Sequence, residues 1–188
     1  MLLPTFWIVF AYAHMQAFLT TRDWSLLLFC LSETLVAVLY IVRRDPKTVS
    51  EFPLDWFAAI LGTFAPLFLR PAAWGILPQA SFAIAAGAII QLFGLISLNR
   101  SFALVAAKRE IKTAWMYRIV RHPIYASYCL TFTGYVLANT TLANLVIYVI
   151  TMVFIWVRVF REEKHLALDP EYRRYMLEVR YRLIPFVF

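Results

Sequence analysis

Tyr117-Arg118-Ile119-Val120-Arg121-His122-Pro123-Ile124-Tyr125 and Arg161-Glu162-Glu163-Lys164-His165-Leu166-Ala167-Leu168-Asp169-Pro170-Glu171-Tyr172-Arg173-Arg174-Tyr175 are two polar stretches in a strongly apolar chain. Each adjoins an apolar run. Together they hold two of the three histidines, the adjacent groups Glu162, Glu163 and His165, and a cluster of arginines and tyrosines. Their placement at the ends of apolar runs predicts that they meet at one membrane face.

The 188 residues are 62% hydrophobic, against about half for a soluble domain. The expectation is an all-α, polytopic integral membrane bundle forming one domain over 1–188, with N-terminal helices in 1–78 and a functional core and tail helix in 79–188. Six apolar runs can be drawn: 3–20, 24–42, 54–70, 80–98, 123–138 and 142–160. The third and fifth are shorter than the roughly 20 residues a straight span needs. No run alternates as a barrel strand does, and backbone groups in lipid must be paired internally, so helices remain. Of the 18 Lys and Arg, all but Arg22 and Arg70 fall on one side of a six-helix path. The excess of basic residues in cytoplasmic loops then places both termini in the cytoplasm. The net charge of +7 is thereby explained by topology and contact with anionic lipid, with no need for nucleic acid. Cys30 and Cys129 lie alone in apolar runs and offer neither zinc spacing nor a disulfide framework. The apolar start has no preceding Lys or Arg and is read as a retained helix.

Polar groups are few in the first four runs. Glu33 lies near the middle of the second, where an ionisable group is costly and usually faces the protein interior. It is either a functional group or a protonated carboxyl bonded to a neighbour such as His14. His14, Gln16 and Gln91 read as packing polar residues. Ala83-x-x-x-Gly87 permits close helix approach. Asn99 to Val120 is mixed and basic and fits a segment lying at the interface. Pro123 suits a first helical turn, with Arg121, His122 and Tyr125 at its positive end. Thr141 can cap the sixth helix, and Asp169-Pro170-Glu171 begins a tail helix. On that tail Tyr172, Tyr175, Val179 and Leu183 recur at helical spacing.

Two carboxylates beside an Arg–His helix start form a site with both charges. S-adenosyl-L-methionine has the complementary pattern of carboxylate, ammonium and ribose hydroxyls. Glu162 or Glu163 can accept from the amine or hydroxyls, Arg121 and His122 can take the carboxylate, and Tyr117, Tyr125, Tyr172 and Tyr175 can pack on adenine. The plainer reading of the same residues is a set of interfacial salt bridges and caps. Glu162-x-x-His165 has di-iron spacing, but only one copy exists. Phosphate-loop, GxGxxG and GxSxG patterns are absent.

Arg121-His122-Pro123-Ile124-Tyr125, one helical hairpin before Glu162-Glu163-Lys164-His165-Leu166, then Tyr172-Arg173-Arg174-Tyr175 and Ile184-Pro185, resembles the isoprenylcysteine carboxyl methyltransferase family. Phospholipid N-methyltransferases share that C-terminal region. The resemblance covers roughly 94–188 and includes Asn99-Arg100-Ser101-Phe102 and Ile111-Lys112-Thr113. It implies a membrane methyltransferase using S-adenosyl-L-methionine, with Arg121, His122, Tyr125, Glu162 and Glu163 at the cofactor and Tyr172 and Tyr175 as tail tyrosines. It also implies that Arg180 or Arg182 handles a substrate carboxylate of a lipophilic acceptor. Ala126-Ser127 and Leu168-Asp169-Pro170 stand where the family usually has glycine. Were the acceptor an amine or thiol, a base would be needed, and Glu162, Glu163, His122 and Glu33 are candidates. The alternatives are an NADPH-dependent, steroid-reductase-like enzyme and a non-enzymatic membrane subunit.

Overall fold

The computed structural model describes residues 2–42, 48–49, 52–98, 107–108 and 113–188. Helices follow the apolar runs closely: α1 Leu2–Thr21, α2 Trp24–Val42, α3 Pro53–Phe64, α4 Ser81–Leu98, α5 Pro123–Ala138, α6 Leu142–Leu166 and α7 Pro170–Glu178. The third run leaves α geometry at Ala65–Phe68, a 3-10 turn containing Pro66, because proline cannot donate to the helical ladder. Among the described residues the one strand pairing is two residues long on each side, β1 Thr48–Val49 antiparallel to β2 Ala107–Lys108. It is a small departure from the all-α expectation. Positions 99–106 and 109–112 of the expected interfacial segment, and the basic residues Arg43, Arg44, Lys47, Arg100, Arg109 and Lys112, lie outside the described residues.

The helices are built inside out relative to a soluble protein. On α6 the buried face carries Asn144, Thr151, Arg158 and Glu163, while Leu145, Val146, Val149, Val153 and Phe160 are exposed. On α4 Gln91 is buried and Phe82, Ile89, Leu92 and Ile96 face outward. Such a surface is stable against lipid and not against water. The segments Pro78–Ser97 and Leu142–Leu166 are long and apolar enough to cross a membrane, and Trp24–Val38 and Pro53–Phe68 are shorter apolar helices. The protein is thus a helical bundle of membrane character.

Helix ends are set by local chemistry. Thr141 Oγ1 accepts from the Asn144 amide at 3.0 Å and opens α6. Asp169 Oδ1 accepts from the Glu171 amide at 3.0 Å and opens α7, with Pro170 in the first turn. Pro123 opens α5, with His122 at the cap position. Packing is closest between α4 and α5, while α3 lies on α6 and α2 touches α1 and α4. The small-residue spacing marks the α4–α5 contact: a Cβ on Gly87 would meet Thr131 Oγ1 at 2.0 Å, and one on Gly134 would meet Ala83 Cβ at 2.8 Å.

A polar knot closes the opposite ends of α5 and α6. Asn144, fully buried, accepts from the Arg70 amide at 3.0 Å and donates to the carbonyls of Arg70 and Asn139 at 2.8 Å each. Asn144→Ala would leave those three backbone groups unpaired, and a loss of about 2–3 kcal/mol is expected. Chemical unfolding in detergent reads it.

Candidate functional site

The tail corrects one expectation. The apolar periodicity from Tyr172 to Leu183 predicts one helix, yet α7 stops at Glu178 and Val179 is extended. The cause is Arg121. Its Nη1 donates to the carbonyls of Val179 and Arg180 at 2.8 Å each, its amide donates to Tyr181, and the His122 amide donates to Arg182, both at 2.9 Å. Carbonyls satisfied from across the fold are withdrawn from a helical ladder. The tail therefore runs alongside the start of α5.

Glu163 is the hub of this end of the molecule. One carboxylate oxygen accepts from Arg121 Nε at 2.6 Å and faces His122 Nε2 at 3.2 Å; the other accepts from Arg182 Nε at 2.6 Å. Arg121, His122 and Glu163 are buried. The positive helix start and one of the two carboxylates, expected from the residues to face a ligand separately, are thus each other's partners. A buried charge must be paired, and Glu163 is the nearest anion. The guanidinium of Arg182 also lies over the rings of Phe188 and Phe160, at 4.9 and 5.7 Å from their centres. The Arg180 side chain is exposed.

Glu162 is placed differently. It is half-buried, and Tyr125 Oη donates to its Oε2 at 2.7 Å. Its charge reaches Tyr117 and Tyr172. Tyr175 Oη donates to the Tyr117 carbonyl at 2.7 Å, and the Tyr172 and Tyr175 rings pack 5.6 Å apart. The Tyr172 hydroxyl is buried and has no hydrogen-bond partner among the described residues. Burial pushes the hydroxyls of Tyr117, Tyr172 and Tyr175 above their ordinary range, so they remain neutral donors.

Three residues were not singled out from the sequence. Arg158 sits over the Tyr125 ring at 5.1 Å and donates to Thr63 Oγ1 at 2.9 Å. Its spacing of four from Glu162 on one helix face was the available signal. Arg161 pairs with Asp55 and ties α6 to α3. Tyr128 stacks on Phe132, with ring centres 5.5 Å apart, and continues the aromatic wall inward from Tyr125. Glu33 lies apart from the Glu163 hub, buried in α2. The expected neighbour His14 is engaged elsewhere: Nδ1 donates to the Phe10 carbonyl at 2.8 Å and Nε2 meets Tyr135 Oη at 2.7 Å.

The end of the bundle thus carries a buried Arg–His–Glu hub beside a carboxylate walled by tyrosines. Residues 78–169 match the phospholipid methyltransferase family. A curated relative, the methanethiol S-methyltransferase of Pseudomonas sp. (strain GM41(2012)), is 27% identical over 156 residues, which is 80% of this chain and 56% of the relative. The chain therefore spans little more than half of that relative's length. The resemblance to the isoprenylcysteine and phospholipid group of membrane methyltransferases holds, and the matched segment contains Arg121, His122, Tyr125, Glu162 and Glu163.

Proposed function

We propose that the chain is a membrane methyltransferase that binds S-adenosyl-L-methionine between the start of α5, the end of α6 and the tail. The observation that carries this reading is the pairing left over once Glu163 has consumed the cations. Glu162 retains acceptor capacity beyond its bond from Tyr125, and the nearby buried Tyr172 hydroxyl has no partner among the described residues. An acceptor carboxylate and a spare donor inside an aromatic frame fit a ligand with an ammonium, hydroxyls and a flat ring. When bound, the cofactor supplies an electrophilic methyl group on a sulfonium.

The protein's residues then have distinct tasks. Glu162 holds the ammonium or the ribose hydroxyls. Tyr117, Tyr125, Tyr172 and Tyr175 enclose the ring and exclude water. Arg121, His122, Glu163 and Arg182 lock α5, α6 and the tail in register, so that the pocket is rigid before the ligand arrives. The Arg121–Glu163 hub leaves the ligand carboxylate to Arg180, whose side chain is exposed.

The acceptor is a lipophilic or small apolar molecule. A lipid-facing cavity of about 640 Å³ between α5 and α6, lined by Cys129, Thr133, Tyr148, Met152, Trp156 and Phe160, offers it a lateral route. The isoprenylcysteine resemblance favours a carboxylate acceptor handled by Arg180 or Arg182. With Arg182 committed to Glu163, the thiol named for the relative is the better supported choice.

Calorimetric titration of the protein in detergent tests the cofactor. Saturable binding of S-adenosylmethionine and S-adenosylhomocysteine, without binding of NADPH, is expected. Glu162→Gln should weaken it at least tenfold, since a hydrogen bond to a charged group is lost. Tyr172→Phe should weaken it about fivefold, the effect of one neutral hydrogen bond. Binding of NADPH instead, or no loss in Glu162→Gln, sinks the assignment.

A further inference from the structure

Arg158 is a buried cation on a lipid-facing helix. It stands on α6 one turn before Glu162 and is 8% exposed. A guanidinium inside an apolar span is costly and marks a site more often than it serves packing. Its surroundings are specific. Nη1 donates to Thr63 Oγ1 of α3 at 2.9 Å, and the guanidinium carbon lies 5.1 Å from the centre of the Tyr125 ring. Gly62 makes the room: a Cβ there would meet Arg158 Cδ at 3.2 Å and Nη1 at 3.6 Å.

Tyr125 is the next link. Its Oη donates to Glu162 Oε2 at 2.7 Å, and its ring is flanked by those of His122 and Tyr128, with centres 5.6 and 6.4 Å away. A cation over an aromatic face holds the ring and draws on its electron density. The phenol hydroxyl becomes a better donor, and its bond pins one oxygen of the Glu162 carboxylate. Pinning one oxygen fixes where the other stands.

We infer that Arg158 is a positioning residue of the proposed cofactor site, clamped by Thr63 of α3 and acting through Tyr125 on the Glu162 carboxylate. The inference rests on the S-adenosyl-L-methionine reading above. It extends the site to α3, which lies outside the family match over 78–169. A carboxylate that swings freely must be ordered when the ligand arrives, and the affinity falls by that cost. Lysine would keep the charge of Arg158, but a compact ammonium cannot lie flat on Tyr125 as a planar guanidinium does.

Titration with S-adenosylhomocysteine in detergent tests the role. Arg158→Met should raise the Kd about tenfold, and Arg158→Lys should recover only part of that loss. Thr63→Val removes the anchor alone and should raise the Kd about threefold. Two comparisons separate positioning from general loosening. Arg161→Met breaks a second α3–α6 link, the ion pair with Asp55, and should leave the Kd within about twofold. In Tyr125→Phe, where no hydroxyl reaches Glu162, adding Arg158→Met or Thr63→Val should cost less than about twofold more. An equal loss in Arg161→Met overturns the positioning role, and so does the same loss with and without the Tyr125 hydroxyl. Should Arg158→Met fail to fold, Thr63→Val carries the test, and an unchanged Kd there overturns the clamp. Wild-type binding with an unchanged Kd in Arg158→Met overturns this inference alone. A wild-type protein that binds no S-adenosylhomocysteine overturns the cofactor reading with it.

Discussion

Replacing Glu163 by glutamine is expected to cost about 3–5 kcal/mol of stability and to abolish binding of S-adenosylhomocysteine. The carboxylate neutralises Arg121 and Arg182 and faces His122. Removing one member of a buried charged group leaves the others uncompensated, and that is far more costly than the net worth of the pair. The same change releases the tail, because Arg121 is held by Glu163 on one side and holds the carbonyls of Val179 and Arg180 on the other. Tyr172 and Tyr175 come from that tail, so loss of the hub would remove walls of the proposed pocket as well as stability. Arg182→Ala should be milder, near 1 kcal/mol, since its side chain is 31% exposed and solvent replaces part of the interaction. The double variant of Glu163→Gln with Arg121→Met should lose less than the sum of the two single changes, because each removes the same interaction. Chemical unfolding in detergent measures all four proteins. Additive losses would show that the hub is not one unit.

Widening the α4–α5 seam should have the next largest effect. Gly134→Ala would place its Cβ 2.7 Å from the Ala80 carbonyl oxygen and 2.8 Å from Ala83 Cβ, so the backbone of one helix would have to move. Overpacking of this kind costs about 1–3 kcal/mol, and the upper end is expected here. Gly87→Ala meets Thr131 Oγ1 at 2.0 Å, with the Ser127 carbonyl and Thr131 amide each at 3.0 Å. Thr131→Ala removes the nearest of these atoms and should restore part of the loss in Gly87→Ala, but none of it in Gly134→Ala. Melting temperatures of the four variants check this. Because α5 carries Arg121, His122 and Tyr125 at its first turn, both glycine variants should also weaken S-adenosylhomocysteine binding.

Much of this architecture was legible before the fold was known. The six apolar runs became helices within a few residues, and Thr141, Asp169 and Pro123 open the elements they were expected to open. Ala83-x-x-x-Gly87 lies at the closest helix contact. Arg121, His122, Tyr125, Glu162, Glu163, Tyr172 and Tyr175 were singled out, and the structure brings them to one end of the bundle. Their individual roles were not legible. Glu162 and Glu163 are adjacent in the chain, and successive helical residues point about 100° apart, so only the neighbouring elements decide which one meets the arginines. The tail helix was expected to run on to Leu183 because periodicity cannot see a guanidinium 58 residues away capturing its carbonyls. Likewise one of the two readings of Glu33 bonded it to a neighbour such as His14, and the side-chain partner of His14 proved to be Tyr135, 121 positions along the chain.

Hydropathy, capping and small-residue spacing act over a few residues, so the order of amino acids was enough to place the helices, the starts of α5, α6 and α7, the lipid-facing character and the motifs. The tertiary structure alone decided which charges neutralise one another, where the tail bends, and which buried oxygens are left without partners. Those outcomes depend on long-range pairing, in which every buried charge must find its counterpart and every buried carbonyl its donor.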